Sequence, residues 1–308
     1  MSSRLWLRLI LLVAAIIGLT LYVAFNPEVV QRSLAFGWLN VAVLAVSYVV
    51  AQYLNAWILK AGLEPPYRGI AVNDAIGINM VSSLAGYLTP LRLGGMGSRL
   101  MILRMKYGVE PGFAVGQFLL VTLMTIGLSA AFFAFSVLVH GGEVSLRYGV
   151  AAAFMAAIAA GMVVLCALLA DKRSYSLLSP RLPRLLVGVH EAIARPWKSQ
   201  VKITLLLVVS FGLQVLQTQW LLHAVGMPGD VFFSTLVCAL ANLMLVLTLT
   251  PGNLGIKEGL LGSLAFVFLI DEKAFVGALL VDRFVQLGVL MVGSVLYSSW
   301  GDGSNRKY

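Results

Sequence analysis

The sequence predicts an all-α polytopic membrane protein built as an inverted-topology repeat, with about six full spans and two Pro/Gly-broken re-entrant helical hairpins. Three observations carry this reading. The 308-residue chain is 60% hydrophobic and only 11% charged, far from soluble composition. Its apolar runs reach the roughly 20 residues that cross a bilayer. Two stretches repeat each other: 88–94 reads LTPLRLG and 249–255 reads LTPGNLG. Each copy interrupts an apolar run with Pro, which removes a backbone donor, and Gly, which loosens the helix.

The elements follow in order. The first span runs over about 5–25, with Arg4 and Arg8 ahead of it; the run is long and leads into further spans, so an uncleaved helix is expected rather than a signal peptide. A second span covers about 38–59. The run 70–88 ends at the first break, shaped by Pro90, Gly94 and Gly95, and a short helix follows at 95–107. Asn73-Asp74 reads as the N-cap of the first arm. Spans at 112–138 and 147–170 come next, then a basic loop over 171–202 and a span at 203–224. The run 231–249 meets the second break, shaped by Pro251, Gly252 and Gly255, and a helix at 256–270 follows. A last span covers about 275–299. The whole chain, 1–308, is one transmembrane domain, with repeat halves over about 1–140 and 145–300.

Charge fixes the expected orientation. Arg4, Arg8, Lys60, Arg68, Arg104, Lys106 and the seven cations of the middle loop fall on one side only if each broken element enters and leaves by the same face. Both termini are then cytoplasmic, in the plasma or inner membrane, and Arg32, Arg147 and Lys273 remain outside. The two hairpin tips meet near the midplane. The net charge of +9 follows the loops, which argues against nucleic acid as a partner. Within the middle loop, 181–198 is a basic amphipathic stretch suited to an anionic leaflet.

Four cations stand at expected membrane depth: Arg92, Arg99, Lys257 and Arg283. Ionisable groups there are costly and usually face a cavity or a partner. Glu258 and Asp282 are their acidic neighbours, which leaves a positive excess, and Asn253 is the repeat counterpart of Arg92. The helices after each break point their N-termini at the tips, which favours an anion. Cations and helix N-termini together suit a phosphate headgroup. Structural roles compete: Lys257–Glu258 as a capping pair, Asp282-Arg283 as a lock on the last span, Arg99 snorkelling to the interface. Cys166 and Cys238 lie in apolar segments, with no disulfide expected. His140, His190 and His223 are scattered and form no metal set; no nucleotide loop or catalytic constellation is present, so neither a cofactor nor an enzymatic activity is expected.

Residues 86–107, GYLTPLRLGGMGSRLMILRMKY, resemble the first motif of the flippase-like membrane family related to the transmembrane region of lysylphosphatidylglycerol synthase, with its Pro, Gly pair and following Arg. Residues 251–259, PGNLGIKEG, resemble the second motif, and Asp282-Arg283 resembles the acidic-Arg pair of the last span. The resemblance covers nearly the whole chain. It implies an integral membrane protein linked to moving or processing lipids: aminoacylated phospholipids, polyprenyl-linked sugars or hopanoids. Met96 stands where the family often has an acidic residue, so a role for that carboxylate does not carry over. The resemblance does not extend to the soluble aminoacyl-transferase domain, and synthase activity is not implied.

The leading expectation is therefore a lipid flippase that carries an anionic phospholipid, aminoacylated lipid or polyprenyl-phosphate-linked intermediate between leaflets. Two alternatives stand beside it: a secondary transporter of a small anion, and a non-transporting membrane partner of a lipid-modifying enzyme or glycosyltransferase, for which the loop 171–202 would be the docking feature.

Overall fold

The structure, a computed structural model, describes residues 36–64, 66–67, 69–89, 93–139, 146–170, 183–194, 196–227, 230–245 and 256–304. Among these residues there are ten helices and no strand. In chain order they are α1 (Trp38–Leu63), α2 (Val72–Leu88), α3 (Leu93–Tyr107), α4 (Pro111–Val139), α5 (Leu146–Ala170), α6 (Pro183–Ile193), α7 (Trp197–Ala224), α8 (Val231–Leu243), α9 (Ile256–Val267) and α10 (Glu272–Ser304). Five are long and apolar enough to cross a membrane: α1, α4, α5, α7 and α10. The protein is a multi-pass membrane protein. The span expected at 5–25 lies outside the described residues.

The helices follow the apolar runs because a buried or lipid-facing backbone must satisfy its own hydrogen bonds. The helix after the middle loop begins earlier than expected, at Trp197 rather than 203. Pro196 stands just ahead of it, and its carbonyl accepts from the amides of Ser199 and Gln200, closing the first turn. The basic amphipathic stretch holds α6. Gly188 of α6 sits so close to α4 that a Cβ there would come within 2.3 Å of the Gly112 backbone. Asn73 and Asp74 lie inside the first turn of α2 rather than capping it: the helix starts at Val72, and the Asp74 carboxylate is taken by a different partner described below.

The chain divides into two compact units, one from 1–51, 80–95 and 215–308, the other from 52–79 and 96–214. The division falls within α1, α2, α3 and α7. In the first unit, Phe36, Leu44 and Leu221 bury against Ala278 and Val281 of α10. Phe233 of α8 meets Phe268 and Phe275 at ring-centroid distances of 5.7 and 5.3 Å. The second unit is centred on Leu59, Leu63, Ile70, Ile78, Leu103 and Phe113.

Two helix ends in the first unit use the same C-terminal turn with different residues. After α7, Gly226 adopts φ +75°, the Met227 amide donates to the Leu222 carbonyl and the Gly226 amide to His223. After α9, Leu269 adopts φ 56°, the Ile270 amide donates to Ala265 and the Leu269 amide to Phe266. Both are left-handed helix caps that satisfy the last carbonyls, and glycine fits that conformation at less cost than leucine.

Candidate functional site

The first break is built from its own residues. Thr89 ends α2: its hydroxyl donates to the Ala85 carbonyl at 2.8 Å and accepts from the Gly94 amide at 2.8 Å. One side chain thus satisfies a last carbonyl of α2 and a first amide of α3, groups that a break leaves without helical partners. Gly94 and Gly95 then let the two backbones close. A Cβ on Gly94 would meet the Thr89 side chain at 2.7 Å, and one on Gly95 would meet the Ser82 carbonyl oxygen at 2.5 Å and Gly86 Cα at 3.0 Å. At Gly94 and Gly95 the missing Cβ leaves room for this close approach. Pro90 and Arg92, on the connection, lie outside the described residues.

Two polar rungs join α2 to α3 in the second unit. At the inner rung, nearer the connection, Arg99 Nη2 donates to Asn79 Oδ1 at 2.6 Å. Asn79 is 2% exposed. The same guanidinium lies 5.6 Å from the centre of the Phe118 ring on α4, a cation–π contact. An amide oxygen and a ring thus help to set the direction of Arg99. At the outer rung the Asp74 carboxylate accepts from Lys106 Nζ at 2.7 Å and from the Tyr107 hydroxyl. That pair is partly wet, with side-chain exposures of 39% for Lys106 and 27% for Asp74. Nearby in the same unit, Lys60 bridges to Glu64 at 3.4 Å and donates to the Ile70 carbonyl at 2.8 Å.

The acidic-Arg pair of the last span belongs to the first unit. Asp282 Oδ1 accepts from the Tyr48 hydroxyl of α1 at 2.5 Å. One turn on, Gln286 takes the Tyr87 hydroxyl of α2, and a further two turns on Gly293 receives the Met80 thioether. Tyr87 pairs with Gln286 and Met80 with Gly293, so α10 runs antiparallel to α2, seven residues against seven. Asp282 is thereby part of the contact that holds α10 to its neighbours. Arg283, the next residue, is buried at 6% exposure.

Of the other expected site residues, Asn253, Pro251, Gly252 and Gly255 lie outside the described residues. Lys257 and Glu258 fall in the first turn of α9, and their side chains are also outside that set. Among the described residues no group of three or more His, Cys, Asp or Glu side chains could hold a metal ion.

The sequence reading missed Asn79, Phe118, Tyr48, Tyr87 and Gln286. The signal for Asn79, Gln286 and the tyrosine hydroxyls was polarity within apolar helices, where each such group needs a partner. Nothing in the sequence named the partner.

A family comparison adds a whole-chain relation. The family described as "Lysylphosphatidylglycerol synthase TM region" matches residues 5–293. Comparison with curated proteins and with solved structures gives no match.

Proposed function

The chain belongs to the family of the lysylphosphatidylglycerol synthase TM region, and on that footing we propose that it is a lipid flippase of the cytoplasmic membrane. On this reading it moves an anionic phospholipid, an aminoacylated lipid or a polyprenyl-phosphate-linked intermediate between leaflets. It makes and breaks no covalent bond. Its partners are membrane lipids with anionic headgroups. Both termini face the cytoplasm, the side on which the basic loops accumulate.

The observation that carries the proposal is Arg99: a guanidinium on a helix beside a break, oriented by Asn79 and by the Phe118 ring. An oriented cation at apolar depth is expensive unless function uses it. Guanidinium is well matched to phosphate, because its planar fork gives two parallel N–H donors. Arg92, Lys257 and Arg283 are the further cations assigned to the headgroup, with Asn253 at the tip opposite Arg92. Glu258 and Asp282 tune or gate them.

Helix length supports a re-entrant reading of the first break. α2 has 17 residues and α3 has 15, about 25 and 22 Å at 1.5 Å per residue. Each is shorter than the roughly 30 Å hydrocarbon core. Two such arms suit a hairpin that turns within the bilayer. The repeated L-T-P-x-x-L-G pattern supports an equivalent, inverted element in the second half.

The test is reconstitution. In liposomes carrying a labelled anionic phospholipid, wild-type protein should speed its appearance in the opposite leaflet. Substituting both Arg92 and Arg99 by Gln should abolish that while the protein still folds. Unchanged transport in the folded double variant would remove the site assignment, and no transport by wild type with any anionic lipid would remove the flippase reading.

A further inference from the structure

We propose that α1 and α7 carry, on an exposed face within the second unit, a docking site for an anionic phospholipid, with the phosphate at Lys198 and Lys202 and one acyl chain along Leu205 and Val209. The proposal makes no use of Arg99 and does not rest on the flippase reading.

The helical repeat builds the face. Lys198, Lys202, Leu205 and Val209 follow one another at steps of four, three and four residues, so they share one side of α7. All four are exposed, Leu205 at 61% and Val209 at 56%. α7 is long and apolar enough to cross a membrane, and Lys198 is its second residue. The lysines therefore stand at headgroup level, and the leucine and valine lie one to three turns deeper, at chain level.

α1 supplies a wall. Ser199 Oγ donates to the Ala61 carbonyl at 3.3 Å, and Lys202 Nζ lies 5.5 Å from the centre of the Trp57 ring. The two helices thus run antiparallel here, and Tyr53, one turn before Trp57, is carried down toward the level of Leu205. The Tyr53 and Trp57 rings meet edge to face at 6.3 Å. Aromatic side chains of this kind favour the boundary between headgroups and chains.

Charge decides what the face takes. Two cations one turn apart on a helix repel each other. Among the described residues neither lysine joins an ion pair, and the Trp57 ring attracts Lys202 without neutralising it. A phosphate between the two ammonium groups removes the repulsion. A free phosphate or an acidic peptide would leave the apolar track below the lysines unused, whereas a phospholipid fills both parts.

The test uses full-length protein in vesicles of equal phosphatidylglycerol and phosphatidylcholine, one of the two carrying a photoactivatable acyl chain. Labelling at Leu205 and Val209 is mapped by mass spectrometry, and the melting temperature is recorded. In wild type the phosphatidylglycerol probe should label this stretch about tenfold more than the phosphatidylcholine probe. The double variant Lys198→Gln, Lys202→Gln should bring the two probes within about twofold of each other. Replacing both lysines by Arg should keep the preference within about threefold of wild type. Salt near about 1 M should reduce the wild-type preference several-fold, because exposed charges are screened.

Each other outcome overturns the proposal. Equal labelling of wild type by the two probes means the face does not select an anion. A preference that survives the Gln substitutions means the lysines do not hold the phosphate. Loss in the Arg variant as large as in the Gln variant means that positive charge is not what selects. Where the Gln variant fails to fold, a wild-type preference unmoved by salt overturns the proposal by itself.

Discussion

The two rungs between α2 and α3 solve one problem in opposite ways. Asp74 meets Lys106 with a full counter-charge at a partly wet helix end. Asn79, itself buried, meets the half-buried Arg99 with a neutral oxygen. The outer rung joins the helices through a full counter-charge, whereas the inner rung orients a guanidinium through an amide oxygen and a ring. In the other unit the Asp282 carboxyl group accepts from the Tyr48 hydroxyl.

Changes at Arg99 should break this contrast most. Arg99→Gln should lower the initial rate of anionic-lipid translocation by about tenfold or more, as loss of a desolvated charge contact does. Arg99→Lys, which keeps the charge and loses the planar fork, should fall between Gln and wild type.

Next in size is the packing that brings the rungs together. Gly95→Ala forces a Cβ against the Ser82 carbonyl and should destabilise the protein by about 1–3 kcal/mol. Gly97→Ala, with nothing within 4 Å of its Cβ, should leave the melting temperature unchanged or raise it slightly. A thermal melt of the pair separates close approach from helix propensity.

Tyr48→Phe removes the donor to Asp282 and should cost about 1 kcal/mol or somewhat more, because the acceptor is charged. Asp74→Asn should cost under about 1 kcal/mol, the usual value of an exposed ion pair, and should spare lipid selectivity. Leu269→Gly touches neither rung. It relieves a left-handed leucine and should stabilise by up to about 1 kcal/mol, read as a small rise in melting temperature.

Much of the helix pattern was legible in the sequence. Apolar runs marked α1, α4, α5, α7 and α10 because length and composition alone decide what crosses a bilayer. The break after residue 88 was legible because Thr-Pro and a Gly pair cannot continue an α-helix at full strength. The ends were less so: α7 starts six residues early because Pro196 supports its first turn. Arg99 was legible as a cation out of place, and Asp282 as an acid in a span. Their partners were not. Tyr48 lies 234 residues from Asp282, and Asn79 lies 20 from Arg99 across a break. Only the packing of helices brings such groups together, and no local periodicity encodes it. Asp74 illustrates the converse, where a local rule suggested a cap and a tertiary partner on α3 claimed the side chain.

The central claim is the proposal that Arg99 contacts a lipid headgroup, whereas the Lys106–Asp74 pair fastens α2 to α3. Its most direct test compares translocation of labelled phosphatidylglycerol by wild type, Arg99→Gln and Asp74→Asn, all reconstituted in the same liposomes. The account predicts that Arg99→Gln loses most of the wild-type rate and Asp74→Asn keeps most of it. Equal loss in the two variants, or a wild-type rate in Arg99→Gln, would contradict it.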